Sequence, residues 1–508
     1  MINTIILGSI KHRALVLFIS GLVFIAGVIA LKNTAVDAIP DLSDVQVIVK
    51  TPFAGQAPQV VEDQVTHPLS SALLSVPKAT TVRGYSFFGD SYVYVIFEDG
   101  TDLYWARARV LEYLSQISSK LPDSAKPELG PDATGVGWIY QYALVDRSGQ
   151  KNLSELRSLQ DWFLKFELQS TPGVAEIATV GGMVKQYQIV VDPHRLRAYN
   201  MPIGHIQTAI KQANQEVGAS VIEIAEAEYM VRSNGYLQSV DDINNIPLGL
   251  NQQGSALLLG DIAEVSEGPQ MRRAVTDLNG KGEAVGGIVV MRSGANARVT
   301  ITAIKEKLTE LQKSLPPGVE VIEVYDRSLL IDRAVDHLQS KLIYEFFAVS
   351  IICALFLFHL RSSLVVLISL PIGLATAFLI MYWQGINANI MSLSGIALAV
   401  GTMVDGAIVM IENVHKHFQK QTITDDNRWQ VIGKACTEVG SPLFFSLMVI
   451  TVSFLPVFAL QAQEGKMFAP LAYTKTYAMA VSAGLALTLV PVLLGYFVRG
   501  NIAKLHQN

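Results

Sequence analysis

Hydrophobic positions concentrate at the two ends of this 508-residue chain and leave a long segment of mixed character between them. In the first twelve residues, four isoleucines recur near helical spacing, which predicts a short helix at a membrane surface. They are Ile2, Ile5, Ile6 and Ile10. The apolar run from 14 to 31 is long enough for a first transmembrane helix, with a cleaved signal peptide as the alternative because small residues follow it. Residues 1–31 thus form the first predicted segment.

Residues 32–340 alternate strand and helix patterns between turns that contain Gly and Pro. The strand patterns lie at 45–50, 91–97, 284–291 and 319–324, and the helix patterns at 57–74, 102–121 and 297–315. This rhythm predicts α+β modules of the split βαβ, or ferredoxin-like, kind. A further mixed segment at 183–270 is interpreted as an insertion in the second module. It separates residues 32–182 from the return of that module at 271–340.

Five more apolar runs follow, so the chain is predicted to be a membrane α-helical bundle with six transmembrane helices. The runs lie at 342–358, 364–383, 390–411, 442–460 and 477–498. They place the second to fourth spans in residues 341–413 and a cytoplasmic loop in 414–440. The last two spans and a cytoplasmic tail occupy 441–508.

The basic residues of the short loops give the chain an orientation. Lys416 and Lys434 fall in the predicted inner loop, whereas the outer turn at 384–389 has neither Lys nor Arg. By the positive-inside rule, both termini are cytoplasmic and residues 32–340 lie on the other side of the membrane.

Composition supports a membrane protein and excludes nucleic acid as a partner. Half of the residues are hydrophobic (50%), 16% are charged and the mean hydropathy is +0.34, which fits several spans in a lipid bilayer plus a sizeable soluble part. A net charge of -5 provides no basic surface for nucleic acid. The two cysteines, Cys353 and Cys436, form no zinc-type spacing with histidine.

One acidic residue lies well inside the apolar run at 387–413. An aspartate at the centre of a transmembrane helix costs about 2.5–3.5 kcal/mol, so Asp405 is expected to face a polar interior and to have a function. The favoured role is proton carrier, because a carboxyl group can take up a proton on one side and release it on the other when its surroundings change. The alternative is a structural carboxylate held by hydroxyl groups. Glu412, nearer the inner end, is expected at the interface.

Methionines occupy a different face of the same helix. At ~100° per residue, Met403 and Met410 lie almost above one another, and Asp405 is about 200° from Met403. One helix would therefore present thioethers to one neighbour and carboxylates to another. Thioethers prefer Cu(I) and, by the same softness, Ag(I), but methionine is also a common core filler, and the spacing fits both interpretations.

Five stretches carry a close resemblance to a known family. They are VDAIPDLSDVQV at 36–47, GDSYVYVIFEDGTD at 89–102, ELGPDATGVGW at 128–138, the apolar run at 387–413 and TKTYAMA at 474–480. Over its whole length the chain resembles the N-terminal half of the heavy-metal efflux branch of the resistance-nodulation-division (RND) superfamily, most of all its copper/silver pumps.

The resemblance implies a bacterial inner-membrane homotrimer that couples proton entry to metal export, together with a periplasmic adaptor (membrane fusion protein) and an outer-membrane channel. Such a protein is a secondary transporter (a proton antiporter) rather than an enzyme, with no resident cofactor and with Cu(I) or Ag(I) as cargo. Residues 32–340 would be periplasmic porter modules, residues 183–270 their docking insertion, and Asp405 the proton-relay residue.

The fourth span separates the copper/silver pumps from neighbouring branches. Drug exporters usually have a second aspartate where this chain has Gly406, and divalent-metal pumps typically have an acid where it has Ala399. The resemblance then implies a path of methionines for the ion, at Met271, Met391, Met403, Met410 and Met479. One departure is Leu494, where the copper/silver pattern has a methionine expected to pair with Met410.

A complete pump of this kind is about twice as long, with a second six-helix half related to the first. The missing C-terminal half, or a second chain, would contribute the lysine and glutamate partners of the relay aspartate and the main periplasmic methionine site. We therefore expect a truncated gene product or fragment, or one subunit of a split pump. The competing hypotheses are a divalent-cation (Zn, Co, Cd or Ni) or drug exporter on the same fold, and an inactive remnant or scaffold that occupies the adaptor.

Overall fold

The computed structural model describes residues 1–233, 235–250, 254–357, 360–421 and 423–498. Helices from both ends of the chain form a bundle, and the residues between them form a sheet-containing region. The predicted cytoplasmic tail at 499–508 lies outside the described residues.

Two helices open the chain. α1 (Ile2–Lys11) is short, and its Ile6 is fully buried in the bundle. α2 (Arg13–Asn33) is apolar over 21 residues, which suits it for crossing a membrane. Gly27 of α2 lies so close to Ala375 that an added methyl group would come within 2.2 Å of the Ala375 carbonyl oxygen. The absence of a side chain therefore lets α2 pack tightly on the bundle.

The first α/β unit is an antiparallel sheet in the order β2-β3-β1-β4. Its elements are β1 (Gln46–Pro52), α3 (Pro58–Val61), a π-helical turn (Glu62–Thr66), α4 (His67–Leu73), β2 (Ala79–Phe87), β3 (Asp90–Phe97), α5 (Leu103–Ile117) and β4 (Glu128–Leu129). Every second residue of β3 is buried. These residues, among them Val93 and Val95, share a core with Val110 of α5, so the helices cover one face of the sheet.

The second unit begins in the same way and is then interrupted. Its first elements are β5 (Trp138–Asp146), α6 (Leu153–Leu159), a second π-helical turn (Gln160–Leu164), α7 (Lys165–Gln169) and β6 (Val174–Gly181). The interruption contains β7 (Lys185–Val191), α8 (Pro193–Ala198), α9 (Ile203–Ala213), β8 (Val217–Ile224), β9 (Ala227–Ser233), α10 (Val240–Asn244), β10 (Pro247–Leu250), β11 (Ala256–Leu258), α11 (Leu259–Ile262) and β12 (Ala263–Pro269). It has its own small core, which includes Ile206 and Ile262.

The chain then returns to the second sheet and completes it. The returning elements are β13 (Val285–Met291), α12 (Ala297–Leu311) and β14 (Val319–Asp326). The strand order is β14-β5-β13-β6, so the first and third strands of the unit are central, as in the first unit. All seven residues of β13 are buried, as expected for an inner strand. The strand and helix rhythm of the sequence thus corresponds to two sheets with the same order of connections.

Six further helices complete the bundle. They are α13 (Arg327–Leu357), α14 (Leu360–Trp383), α15 (Ile390–Lys420), α16 (Arg428–Val452), α17 (Ala462–Leu487) and α18 (Leu489–Phe497). Within the described residues, five helices, α2 among them, are long and apolar enough to cross a membrane. The pair α17 and α18, bent by 48°, would make a sixth span if it counts as one. The chain is therefore a multi-pass membrane protein with a sheet-containing soluble region.

The helix bounds differ from the apolar runs of the sequence. α15 continues to Lys420 and α16 begins at Arg428, so most of the loop predicted at 414–440 is helical. α13 begins at Arg327, within the segment assigned to the second module, and α17 begins at Ala462. Hydropathy marks only the apolar part of a helix, whereas the backbone hydrogen bonds continue through polar residues until a cap or a break ends them.

A buried ion pair joins the two regions. Arg327 of α13 forms an ion pair with Asp37 at 2.9 Å, and the two side chains are 7% and 15% exposed. The backbone N–H of Asp37 donates to the Ala388 carbonyl oxygen just before α15, and Val36 forms a parallel bridge with Ala388. The ends of α2, α13 and α15 are therefore held at one point next to the sheets.

The carboxylate of Asp326 lies beside this junction, at the start of α13. Its side chain is 0% exposed, accepts a hydrogen bond from Lys305 Nζ at 2.5 Å and accepts another from the backbone N–H of Ser328 at 2.7 Å. Burial acts to raise the pKa of Asp326, but these hydrogen bonds favour the charged form and leave the pKa below its ordinary value.

The lowered pKa gives a stability prediction. A carboxylate with a depressed pKa stabilises the folded state above its unfolded pKa of about 3.9 and loses this contribution as the pH falls through the folded pKa. Asp326→Asn should therefore cost about 1–3 kcal/mol near pH 7, and its difference in Tm from the wild type should shrink below about pH 4. Thermal unfolding in detergent measures this. Glu323→Gln is the matched control, since the Glu323 side chain contacts the same lysine but is 41% exposed.

The α15–α17 contact depends on a second close approach. Thr474 of α17 donates a hydrogen bond to the Ser392 carbonyl oxygen at 2.8 Å. A methyl group added to Gly395 would lie 2.2 Å from Thr474 Oγ1 and 2.5 Å from the Leu471 carbonyl oxygen. The lack of a side chain at Gly395 thus permits this hydrogen bond between helices.

Gly395→Ala should push α17 away from α15 and lower stability by about 1–3 kcal/mol, the usual cost of overpacking. Gly484→Ala on α17 is the control, because an added methyl group there meets no described atom within 4 Å. A Tm of the Gly395→Ala protein equal to that of the control protein would contradict the proposed contact.

Candidate functional site

Asp405 lies on an open face of α15. Leu398, Gly401 and Val409, spaced at helical intervals around it, are exposed as well. A methyl group added to Gly401 would meet no described atom within 4 Å. Asp405 itself has no hydrogen bond and no ion pair within the described part of the chain. The Asp405 carboxylate, which is the most costly group of the helix to place in lipid, therefore faces away from this bundle rather than into it.

The opposite face of α15 is packed. Met403 is 6% exposed and Met410 is 0% exposed, so the thioethers and the carboxylate lie on different faces, as the spacing predicts. Glu412 forms an exposed ion pair with Lys416 at 2.9 Å, one turn further along the helix. This pairing gives Glu412 a place at the polar end of α15 instead of beside Asp405.

Met403 shares a buried cluster with a second thioether. Met479 of α17 is 1% exposed and lies in this cluster together with Ala377, Ala399 and Ala478. Small residues make room for the two long side chains; a methyl group on Gly373 would lie 2.1 Å from Met403 Cε. Two methionines from helices distant in sequence thus belong to one buried cluster.

A small void adjoins this cluster. Its volume of about 10 Å³ approaches that needed for one water molecule. Ser369 and Ser482 line it, and the Ser482 hydroxyl donates to the Met403 carbonyl oxygen at 3.3 Å. The surroundings of Met403 are therefore mostly apolar, with a few neutral polar atoms.

The other predicted methionines lie apart from this pair. Met410 belongs to the main apolar cluster of the bundle, which also contains Leu494 and the buried thiol of Cys436. Without a zinc-type spacing, Cys436 had no predicted role, and only the packing of α16 on α15 reveals its buried position. Met391 is half-buried in the first turn of α15. The structure thus brings Met403 and Met479 together but leaves Met391 and Met410 separate.

Met271 lies far from the bundle, in a cleft between the two α/β units. The cleft has a volume of about 720 Å³, and Met271 is 59% exposed there. Arg273, two residues along, donates hydrogen bonds to the carboxylate of Asp90 and the carbonyl oxygen of Phe88 on the first unit. Residues 271–273 are therefore tied to the first unit by these hydrogen bonds.

The predicted metal path consists of thioether donors. Among the described residues, no group of three or more His, Cys, Asp or Glu side chains could hold a metal ion. Carboxylate and imidazole sites for divalent cations need such groups, whereas thioethers select Cu(I). The transport roles of Asp405 and of the five methionines remain predictions, and the structure gives their positions.

Comparison with known proteins confirms the resemblance seen in the sequence. The chain is 59% identical over 99% of its length to the putative cation efflux system protein SilA of Salmonella typhimurium, and 58% identical over its whole length to the cation efflux system protein CusA of Escherichia coli. The cobalt-zinc-cadmium resistance protein CzcA of Cupriavidus metallidurans is 34% identical. The chain spans about half the length of the curated relatives it matches, 49% for the first two and 48% for CzcA.

Solved structures agree with the sequence comparison. A crystal structure of a heavy metal efflux pump superimposes with a TM-score of 0.84 at 31% identity, over 96% of this chain and 48% of the other. The sequence model of the AcrB/AcrD/AcrF family matches residues 5–507. The helix bundle with its sheet-containing region is therefore an RND transporter fold, and the chain belongs to the AcrB/AcrD/AcrF family, on its heavy-metal efflux branch.

Proposed function

We propose that this chain is the N-terminal half of a proton-driven exporter of Cu(I) and Ag(I). One observation carries the proposal: α15 presents an unpaired carboxylate, Asp405, on its open face and buries Met403 on the other, in one cluster with Met479. In this assignment α17 and α18 form one span, so the half has six. The two α/β units are ferredoxin-like porter modules, with residues 183–270 as the docking insertion.

The open face of α15 is the side for proton transfer. An unpaired carboxylate is expensive in hydrocarbon, so its face requires a polar or cationic partner that the described residues do not provide. The absent second half supplies that partner in our proposal. When the helices shift and the carboxylate of Asp405 is separated from this partner, it takes up a proton. It releases the proton when the partner returns.

The packed face is the side for the metal. Met403 and Met479 offer two soft donors in a buried cluster with three alanines. This environment favours a monovalent soft ion, because a divalent ion would remain largely uncompensated in it. Met271 in the cleft, Met391 at the head of α15 and Met410 deeper in the bundle extend the path in the proposal.

We take the orientation and the partners of the proposed exporter from its family. Residues 32–340 are periplasmic and both termini cytoplasmic, in agreement with the basic residues of the inner loops. The complete protein acts in the bacterial inner membrane as a homotrimer with a periplasmic adaptor and an outer-membrane channel. The names of SilA and CusA describe cation efflux, and identities of 58–59% to them against 34% to CzcA favour the copper and silver branch over the divalent one.

Replacement of Asp405 tests the proton role. The second half can be supplied from SilA, the 59% identical relative, by fusion after residue 498. Asp405→Asn should reduce silver export by about tenfold or more, because a carboxamide cannot carry the proton. Silver efflux from everted or whole-cell preparations, compared at equal protein levels in the membrane, measures the effect.

Glu412→Gln is the matched control, since Glu412 lies on the same helix and forms only an exposed pair with Lys416. It should leave export unchanged. Wild-type export by Asp405→Asn would refute the proton role. Protection against zinc or cobalt without protection against silver would assign the chain to the divalent branch. A fusion that exports neither silver nor a divalent cation would favour the hypothesis of an inactive remnant.

The methionine pair is testable on the purified chain alone. Met403→Leu or Met479→Leu keeps the volume of the side chain and removes one thioether, so each should lose about one bound silver ion per chain. Desalting followed by elemental analysis counts the silver. Met448→Leu is the control, because Met448 is 49% exposed and belongs to none of the buried clusters. Equal silver content in all the variants would leave Met403 and Met479 as core fillers.

A further inference from the structure

Trp429, in the first turn of α16, lies close to two arginines. The guanidinium carbon of Arg13 is 4.4 Å from the centroid of the indole ring, and that of Arg428 is 5.7 Å from it. Both distances fall within the range of cation–π attraction. Arg13 is the first residue of α2, so the arrangement joins the N-terminal part of the chain to α16.

A third helix completes the arrangement. Tyr496 of α18 meets Trp429 edge-on, with 5.5 Å between the ring centroids. Gly495 lies against the same indole, since an added methyl group would come within 2.0 Å of Trp429 Cζ3. The site is at the end of the bundle farthest from the sheets, because the other end of α2 leads into them. Tryptophan and tyrosine at such a position are typical of a membrane–water interface.

The two arginines retain unused hydrogen-bonding capacity. A guanidinium stacked on a ring keeps its N–H groups in its own plane, where they can bind a phosphate in a bidentate manner. Arg13 is exposed and has no ion pair within the described residues. Arg428 Nε is buried without a hydrogen-bond partner there. Its terminal nitrogen contacts Asp425 at 3.3 Å, but that side chain is 94% exposed, so water screens the pair.

The surface of α2 next to Arg13 is suited to an acyl chain. Large apolar side chains of α2 remain exposed along its length, namely Leu15, Phe18, Ile19, Leu22, Ile25 and Ile29. They begin two residues after Arg13 and extend away from it in the direction of the bilayer centre. A ligand with a phosphate group and long hydrocarbon chains would satisfy both features at once.

Further charges surround the site. Lys11 and Lys434 are exposed on α1 and α16, and these helices contact each other where Leu7 approaches Gly433. Asp425 and Asp426 are the acidic residues that precede Arg428. Basic residues therefore outnumber acidic ones, as in juxtamembrane sites for anionic lipids.

We propose that Arg13, Trp429 and Arg428 form a binding site for the phosphate of an anionic phospholipid. The guanidinium groups bind the phosphate oxygens, the indole fixes both arginines, and the acyl chains lie along α2. A lipid in this site connects α2, α16 and α18 at the membrane surface. Inorganic phosphate shares the same chemistry but has nothing to place on the apolar side of α2.

Retention of lipid by the purified chain tests this proposal. Native mass spectrometry after incubation with dioleoyl phosphatidylglycerol should show saturable binding to the wild type and much weaker binding of dioleoyl phosphatidylcholine. Arg13→Gln should weaken phosphatidylglycerol binding about fivefold, the usual effect of one basic residue near an anionic surface. Arg13→Lys keeps the charge but loses the planar guanidinium group, so its phosphatidylglycerol binding should lie between that of the wild type and that of Arg13→Gln. Arg13 is exposed, so these variants should fold; gel filtration checks this.

Lys32→Gln is the matched control, since Lys32 is an exposed basic residue at the other end of α2. Equal retention by wild type and Arg13→Gln, or an equal loss with Lys32→Gln, would overturn the proposal. Displacement of phosphatidylglycerol by excess inorganic phosphate would assign the site to free phosphate and overturn its assignment to lipid. The measurement needs neither metal nor a proton gradient, so its failure is separate from a failure of the proposed export.

Discussion

A charged group in hydrocarbon must find a partner, and this requirement governs the arrangement of α15. The packed face of the helix is made of methionine, alanine and glycine, and these uncharged residues need no ionic partner. It leaves Asp405 on the face that the described residues do not cover. Since the relatives are about twice as long as this chain, the uncovered face is the natural place for the rest of such a protein to dock. In the proposed pump, the carboxylate would thus be oriented toward a partner in the second half.

The same rule on buried charge explains how the bundle is joined to the sheets. Asp37 and Arg327 are both nearly buried, and separating them would leave two uncompensated charges in a poorly solvated junction. The strand-like bridge between Val36 and Ala388 adds backbone hydrogen bonds at the same place. α15 therefore cannot shift along its axis without disturbing the end of α2 and, through the ion pair, the start of α13.

The sequence predicted those features that depend on local periodicity. Apolar runs located the helices of the bundle, and the spacing of Met403 and Asp405 predicted their separation on α15. The sequence did not predict where α15 ends, because its apolar residues stop before its helical hydrogen bonds do. Nor could it predict the meeting of Met403 with Met479 or of Arg13 with Trp429, since these contacts join distant parts of the chain and depend on glycines whose close approaches appear only in three dimensions.

The difference between the two faces of α15 has a mechanical consequence. On the packed face, Gly395 lies so close to the backbone of α17 that a single methyl group would not fit, so movement there requires the neighbouring helix to move as well. On the open face, Gly401 meets no described atom within 4 Å. In the proposed pump, a change in the charge of Asp405 would therefore act first on whatever covers the open face. It would reach the methionines through a displacement of α15 together with α14 and α17, because these helices are packed against one another.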